Sequence, residues 1–486
     1  MNFLSSKYYI ILFVLVLIYY IFSKKYRLYL LLISSIGMYY IWNSSSVIVL
    51  LFISLIVYFF SLKINSSNIH SRKYLCAGIL LVSSVYVYFK VYAEVFNNFL
   101  FSRGTFQDMS ILADAIPLGI SFYTFQAISY LVDVYKKIVP PERNPLYSIL
   151  YLTFFPQLTA GPIERASHLL PQLRKIVHNN FNEKMFYSGL QLIALGLFKK
   201  FVLADNLRSF DNMVSSDPEY FYGLPFVIAV FVARYSTFLD LFAYIDIAQG
   251  SARLFGINLV DNFKQPFLAK SPTDFWKRFH ISLVSWFWSY VYLPLCRMFP
   301  GIWTVRFIAV IMFILVGIWH KLEFSFFVWG FLHGVIFFIA SFIAGRPSWI
   351  LKKIFRDKLK LFQNFFIILG TQVILSIPLM IAKLILFSDK ISISKFIILS
   401  WNNFCNLSVF TRLLVYKVYM PWENLVVIIF VIVFLERAYY LYYNRRKRFD
   451  ELYNRRLVQL SLMFSAVIIF ITCGRFDFFT FIYYQY

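Results

Sequence analysis

The sequence predicts an all-α, polytopic membrane protein, and three observations carry that prediction. Of its 486 residues 60% are hydrophobic and only 14% charged, far from the composition of a soluble globular domain. The apolar residues fall in runs of the length a bilayer requires. Lys and Arg, 47 against 23 Asp and Glu, cluster in short groups between those runs. That is the arrangement of positive-inside loops and not of a groove for phosphates, so the expected partner is the lipid bilayer and nucleic acid is excluded.

The first run, 8–22, has only Lys7 before it and Lys24, Lys25 and Arg27 after it, which places the N-terminus outside. It lacks a basic n-region and a small-residue cleavage site, so it reads as a retained helix and not a cleaved signal. Runs 28–42 and 47–62 go out to Asn43-Ser-Ser-Ser and back to Lys63, His70, Arg72 and Lys73. Runs 74–96 and 112–134 then return the chain to Lys136 and Lys137, so five crossings end inside. Lys199 and Lys200 interrupt a later apolar run, and basic clusters at 352–360 and 445–448 read as cytoplasmic. The estimate is about 11 spans, with re-entrant and amphipathic segments in the middle. Three blocks follow: N-terminal helices at 1–110, a core at 111–345 and C-terminal helices at 346–486.

Polar groups inside these runs need internal partners or line a path. Ser121, Thr124, Gln126 and Asp133 lie in one such run. Pro156, Gly161 and Pro162 break any helix just beyond, so residues 154–165 read as a re-entrant loop whose backbone is satisfied by protein or water. Glu164 and Arg165 take structural roles there. Asp240 and Asp246 are six residues apart, about 240° around a helix, and so are not an acid and base on one face. One of them can orient an imidazole or a basic side chain.

The stretch from Pro272 to Gly334 holds the candidate chemistry. Wound as one helix, residues 273–290 place Phe275, Phe279, Leu283, Trp286 and Tyr290 on one face and Arg278, Ser282, Ser285 and Ser289 on another, with His280 off the serine stripe. Such a helix suits an interface or the wall of a polar cavity. His320 and His333 follow in an apolar run, 13 residues apart. On an unbroken helix they would be about 220° and about 20 Å apart, so they serve one reacting atom only if the chain breaks between them. Imidazole near neutral pH transfers protons either way; the alternative is a histidine that ties helices together. The four cysteines, and the three histidines, have no metal-ligand spacing, so no metal is expected.

Asp274-Phe-Trp-Lys-Arg-Phe-His280-Ile-Ser-Leu, Gly317-Ile-Trp-His320 and Trp329-Gly-Phe-Leu-His333-Gly resemble the membrane-bound O-acyltransferase family. The resemblance is nearest to the bacterial branch of alginate O-acetyltransferases and the D-alanyl transfer protein of teichoic acid modification. Ser121-Phe-Tyr-Thr-Phe-Gln126, Ala160-Gly-Pro-Ile163, Pro171-Gln-Leu173 and Ala252-Arg-Leu-Phe-Gly256 belong to the same match, as does the terminus at 481–486. The resemblance implies a helical bundle around a central funnel in a bacterial cytoplasmic (inner) membrane. It implies acyl transfer, most simply O-acetyl, from a cytoplasmic donor such as acetyl-CoA or an acyl-carrier thioester to a hydroxyl of an exported or envelope polysaccharide, without a tightly bound cofactor. It makes His320 the catalytic histidine and His280 the second candidate, with Asp274, Trp276, Trp319, His333, Asp246 and Lys321 as supporting residues. D-alanyl or other acyl transfer is the alternative, as is a non-catalytic relay subunit for a separate soluble extracytoplasmic acyltransferase. The chain departs from the branch at Lys321, where Gly is usual, at Trp288-Ser289 in place of Arg-Asp, and in the missing Ser-Gly between Asp240 and Asp246.

Overall fold

The protein is described from a computed structural model, which covers residues 3–67, 69–102, 117–343, 360–387, 391–402, 427–428, 430–438 and 456–474. All regular structure among these residues is helical. Residues 112–116 of the fifth expected crossing, the basic clusters at 352–359 and 445–448, Cys405 and the terminus at 481–486 lie outside the described residues. Seven helical stretches are long and apolar enough to cross a membrane: Ser44–Ser66, Ser71–Val91, Glu183–Ser216, Leu224–Leu254, Ile302–His320, Phe324–Phe342 and Asn364–Leu386. Ser6–Ile21 is apolar but shorter. Among the described residues the count therefore stands below the expected 11.

The chain divides into two compact units. The first comprises Met1–Leu197 and Tyr244–Asp261. Its helices are pinned by tyrosine hydroxyls that reach across long sequence separations: Tyr8 Oη bonds Ser251 Oγ at 2.8 Å and Tyr19 Oη donates to the Phe255 carbonyl at 3.1 Å. Buried phenols need such partners, and here they fix helix register. Arg27 stacks on Tyr19 at 4.6 Å and donates to the Asn179 carbonyl at 2.6 Å.

Residues 154–165 form the broken segment that their prolines and glycine call for. Helices Pro145–Thr153 and Phe155–Leu158 are too short to cross, and the segment is buried. Its backbone is satisfied by protein: the Phe155 N–H donates to Ser35 Oγ at 3.2 Å and the Ala160 N–H to Tyr244 Oη at 3.0 Å. Gln126 and Gln157 both donate to the Tyr151 carbonyl, at 2.8 and 2.9 Å, so Gln126 is helix glue. Gly119 starts the Ile120–Tyr135 helix at φ 75°, where an added Cβ would lie 2.9 Å from Thr159 Cα.

The second unit comprises Phe198–Ala243 and Asn262–Tyr486. Lys199 and Lys200 do not interrupt a span as a solvated loop would. They sit buried on a π-helical turn, Lys199–Ala204. Lys200 Nζ reaches Asp205 Oδ1 at 2.8 Å and Asp240 Oδ1 at 2.6 Å, while Lys199 Nζ lies over the Phe242 ring at 3.2 Å. Of the two carboxylates, Asp240 orients a lysine, and Asp246 is buried in the first unit.

The expected single helix over residues 273–290 is corrected by the structure. Helix Pro272–Trp276 ends, His280 turns left-handed at φ 48°, and Ile281–Phe287 restarts before a π-helical turn at Trp288–Tyr292. Asn262 explains why the break is tolerated. Its carbonyl accepts from the Ile281 N–H at 2.9 Å and its Oδ1 from the Ser282 N–H at 2.8 Å, satisfying two first-turn donors of the new helix.

Candidate active site

The second unit encloses a cavity of about 220 Å³ whose wall includes His280, His320 and His333. Two interruptions of regular helix bring them there. At His280 the left-handed turn aims the side chain inward, and the residue is 2% exposed. His320 is the last residue of helix Ile302–His320; Lys321 is extended, and helix Phe324–Ile343 then carries His333 back. The break without which histidines 13 residues apart could not share a site is present, and both imidazoles line one space.

The pair of helices approaches closely because small residues face one another. A Cβ on Gly330 would sit 2.5 Å from the Phe313 carbonyl, and one on Gly334 would sit 2.8 Å from Val310 Cα. That contact sets Trp329 between the two histidines, its ring 5.7 Å from His320 and 4.3 Å from His333. Trp276 closes the same wall, 5.4 Å from the His333 ring and 5.1 Å from Phe313.

A hydrogen bond assigns the tautomer of one imidazole and bears on that of a second. His333 Nδ1 lies 2.9 Å from the Trp329 carbonyl, which only accepts, so Nδ1 carries the proton and Nε2 keeps a lone pair. Asn262 Oδ1 is occupied by the Ser282 N–H, so its Nδ2 group faces His280 Nδ1, at 3.4 Å. That contact favours the proton on Nε2, while a hydrogen bond from the ring to the His280 backbone carbonyl favours it on Nδ1. His280 lies outside the spanning helices, and burial pushes its imidazole down to about 3, which keeps it neutral.

The other candidate residues are placed as follows. Asp274 accepts from Arg278 Nε at 2.8 Å and from the Lys270 N–H at 3.1 Å, which makes it a clamp at the start of helix Pro272–Trp276. Trp319 is buried with its ring 4.5 Å from that of His320. Lys321 pairs with Glu323 at the corner between the two helices and is half-exposed. Asp246 belongs to the first unit. Sequence reasoning passed over Asn262, and over Arg234 and Lys383, two cations on the cavity wall. The last two were readable as lone basic residues in apolar runs, which are functional candidates by default.

A cavity walled by aliphatic and aromatic side chains, with three neutral-capable imidazoles, can hold an apolar or acyl group dry and move a proton at its edge. Comparison with known proteins points the same way. The sequence profile of MBOAT, the membrane-bound O-acyltransferase family, matches residues 29–379. Peptidoglycan O-acetyltransferase of Helicobacter pylori is 32% identical over 308 residues, covering 57% of this chain and 57% of that protein. The protein named probable alginate O-acetylase AlgI in Pseudomonas aeruginosa is 30% identical over 285 residues, 57% of this chain and 54% of that one. Teichoic acid D-alanyltransferase of Bacillus subtilis is 28% identical over 236 residues, 45% of this chain and 57% of that one. The chain thus spans somewhat over half the length of the relatives it matches.

Proposed function

The chain belongs to the membrane-bound O-acyltransferase family, and from that premise we propose that it transfers an acyl group, most simply acetyl, to a hydroxyl of an exported or envelope polysaccharide. The observation that supports this reading is the convergence of His280, His320 and His333 on one cavity. The donor is a thioester of the coenzyme A or acyl-carrier kind reached from the cytoplasm. The protein sits in the bacterial cytoplasmic membrane with its N-terminus outside.

His320 acts as general base. It takes the proton of the acceptor hydroxyl as that oxygen attacks the thioester carbonyl. The tetrahedral oxyanion is met by the Nε2–H of His280 in the tautomer that the Asn262 amide favours. Attack has formed the C–O ester bond; collapse re-forms the carbonyl and breaks C–S, and the proton passes from His320 to the leaving thiolate. His333, with Nδ1–H committed to the Trp329 carbonyl, orders the wall through Trp276 and Trp329.

Transfer of D-alanine is the second reading, favoured by the match to a teichoic acid D-alanyltransferase. Both readings are tested by base-labile ester release and mass spectrometry of surface polymers from cells carrying wild type, a deletion, or His320→Ala at matched membrane levels. Loss of the same ester in deletion and variant is expected, and the released acid distinguishes acetyl from alanyl. An ester lost in the deletion but kept in His320→Ala overturns the role of His320 and favours a relay subunit serving a separate extracytoplasmic transferase.

A further inference from the structure

The wall opposite in chemistry to the imidazoles is cationic. Arg234, Thr237 and Leu241, at spacings of three and four, present one face of helix Leu224–Leu254 to the cavity, and Lys383 of helix Lys360–Leu386 lines it too. The two cations differ in how their charge is met. Lys383 Nζ pairs with Asp211 and donates to Ser215 Oγ at 3.1 Å. Arg234 donates through Nη1 to the Gln372 carbonyl at 2.9 Å and Ser376 Oγ at 3.1 Å. Its guanidinium stacks over Phe275 at 4.7 Å and Phe267 at 5.1 Å. Among the described residues no carboxylate pairs with it, and Nη2 is buried with no hydrogen-bond partner.

A guanidinium largely withdrawn from water, stacked on two rings and with no counter-charge among the described residues is held at a cost that neutral hydrogen bonds offset only in part. A purely structural tie between the two helices needs Nη1 alone. The residue lines a space that also holds three imidazoles, none of which supplies a negative charge. Arg is the side chain whose planar fork matches an oxyanion.

We propose that Arg234 is an oxyanion subsite of the cavity, binding a carboxylate or phosphate oxygen of a substrate beside the histidines. The subsite rests on the acyl-transfer reading only for the use to which the cavity is put. It fixes a charged group of the donor or acceptor while the hydroxyl and carbonyl react at the imidazoles, and it makes the cavity selective for anionic over neutral molecules.

The test is thermal unfolding of the purified full chain in detergent micelles, with sodium acetate or sodium phosphate compared against sodium chloride at equal ionic strength. Wild type is expected to gain on the order of 1–2 °C at an anion concentration about tenfold above its Kd. Arg234→Gln keeps amide donors for Gln372 and Ser376 but carries no charge, and is expected to lose that gain. Ser376→Ala removes part of the structural tie and is expected to keep it. A larger response to acetate names a carboxylate and a larger response to phosphate names a phosphoryl group. No response in wild type, or an equal response in Arg234→Gln, overturns the subsite. Should Arg234→Gln fail to fold, Arg234→Lys carries the test: it is expected to need several-fold more anion for the same gain, and an unchanged dependence overturns the proposal. Because the readout is anion-dependent unfolding, the subsite can fail while acyl transfer stands, and the reverse.

Discussion

Because the Asn262 carboxamide oxygen accepts from the Ser282 N–H, its nitrogen faces His280 Nδ1 and favours the proton on Nε2, the tautomer that the proposed oxyanion contact needs. A single substitution separates the two functions of that amide. Asn262→Asp keeps an oxygen for the Ser282 N–H but offers His280 Nδ1 an acceptor, which moves the proton to Nδ1 and leaves Nε2 without a hydrogen to donate. The initial rate of ester formation should fall on the order of 10²-fold, the loss typical of one oxyanion donor, at unchanged protein level. A rate equal to wild type would remove His280 from that role. The motif around His280 was legible as a string, and so was the histidine. Its partner Asn262 was not, because it lies 18 residues upstream and only the left-handed turn brings it there. Periodicity places the residues of 273–290 on consistent faces whether or not the helix is continuous, so a positive φ at a non-glycine residue leaves no trace in it.

Helices Ile302–His320 and Phe324–Ile343 hold two of the imidazoles through a glycine contact, and that contact is the most exacting packing around the cavity. Gly330→Ala would place a methyl 2.5 Å from the Phe313 carbonyl, which is backbone and cannot swing away. The helices must part, at a cost of about 1–3 kcal/mol. A lowered unfolding midpoint in detergent with reduced ester formation is expected; an unchanged midpoint would mean the contact is looser than it stands here. The 13-residue spacing allowed the two histidines one site only across a break between these helices, whereas the glycine contact is between residues far apart in sequence and leaves no local signal there. In the first unit, Glu164 is fully buried, accepts from the Val260 N–H at 2.6 Å and holds His168 Nδ1 at 2.7 Å. The Glu164 carboxylate raises the His168 pKa, and burial raises that of Glu164 itself. A raised histidine pKa contributes stability that is fully present below about 6.5 and is lost as pH rises through the folded value; burial of Glu164 acts in the same direction. Thermal stability should therefore decline as pH rises from about 6.5 through the raised His168 value, and His168→Ala should flatten that decline. A variant with the wild-type pH profile would show that the pair is not linked to folding.

Hydropathy and charge order the whole chain before any packing is known, and they did so here to different depths. The apolar helices and the sequence of motifs were readable because each is local. The span count was not, because helices such as Ser6–Ile21 and Arg27–Trp42 are 16 residues each, and because Lys199 and Lys200, which interrupt an apolar run in the sequence, are buried on a π turn where Lys200 meets Asp205 and Asp240. Charge carries an expectation of sidedness near the N-terminus. Lys24, Lys25 and Arg27 follow the first helix, and the turn after the second holds only Asn43 and three serines. Retention of cations on the cytoplasmic side predicts the first turn inside and the second outside. The prediction is tested with Cys76, Cys296, Cys405 and Cys473 replaced by Ser and one cysteine introduced at a time. Ser45→Cys should react with a membrane-impermeant maleimide in intact cells, and Lys25→Cys only after permeabilisation. The reverse pattern would invert the first helices and, with them, the side from which a thioester donor reaches the histidines, since both turns are exposed and neither label depends on activity.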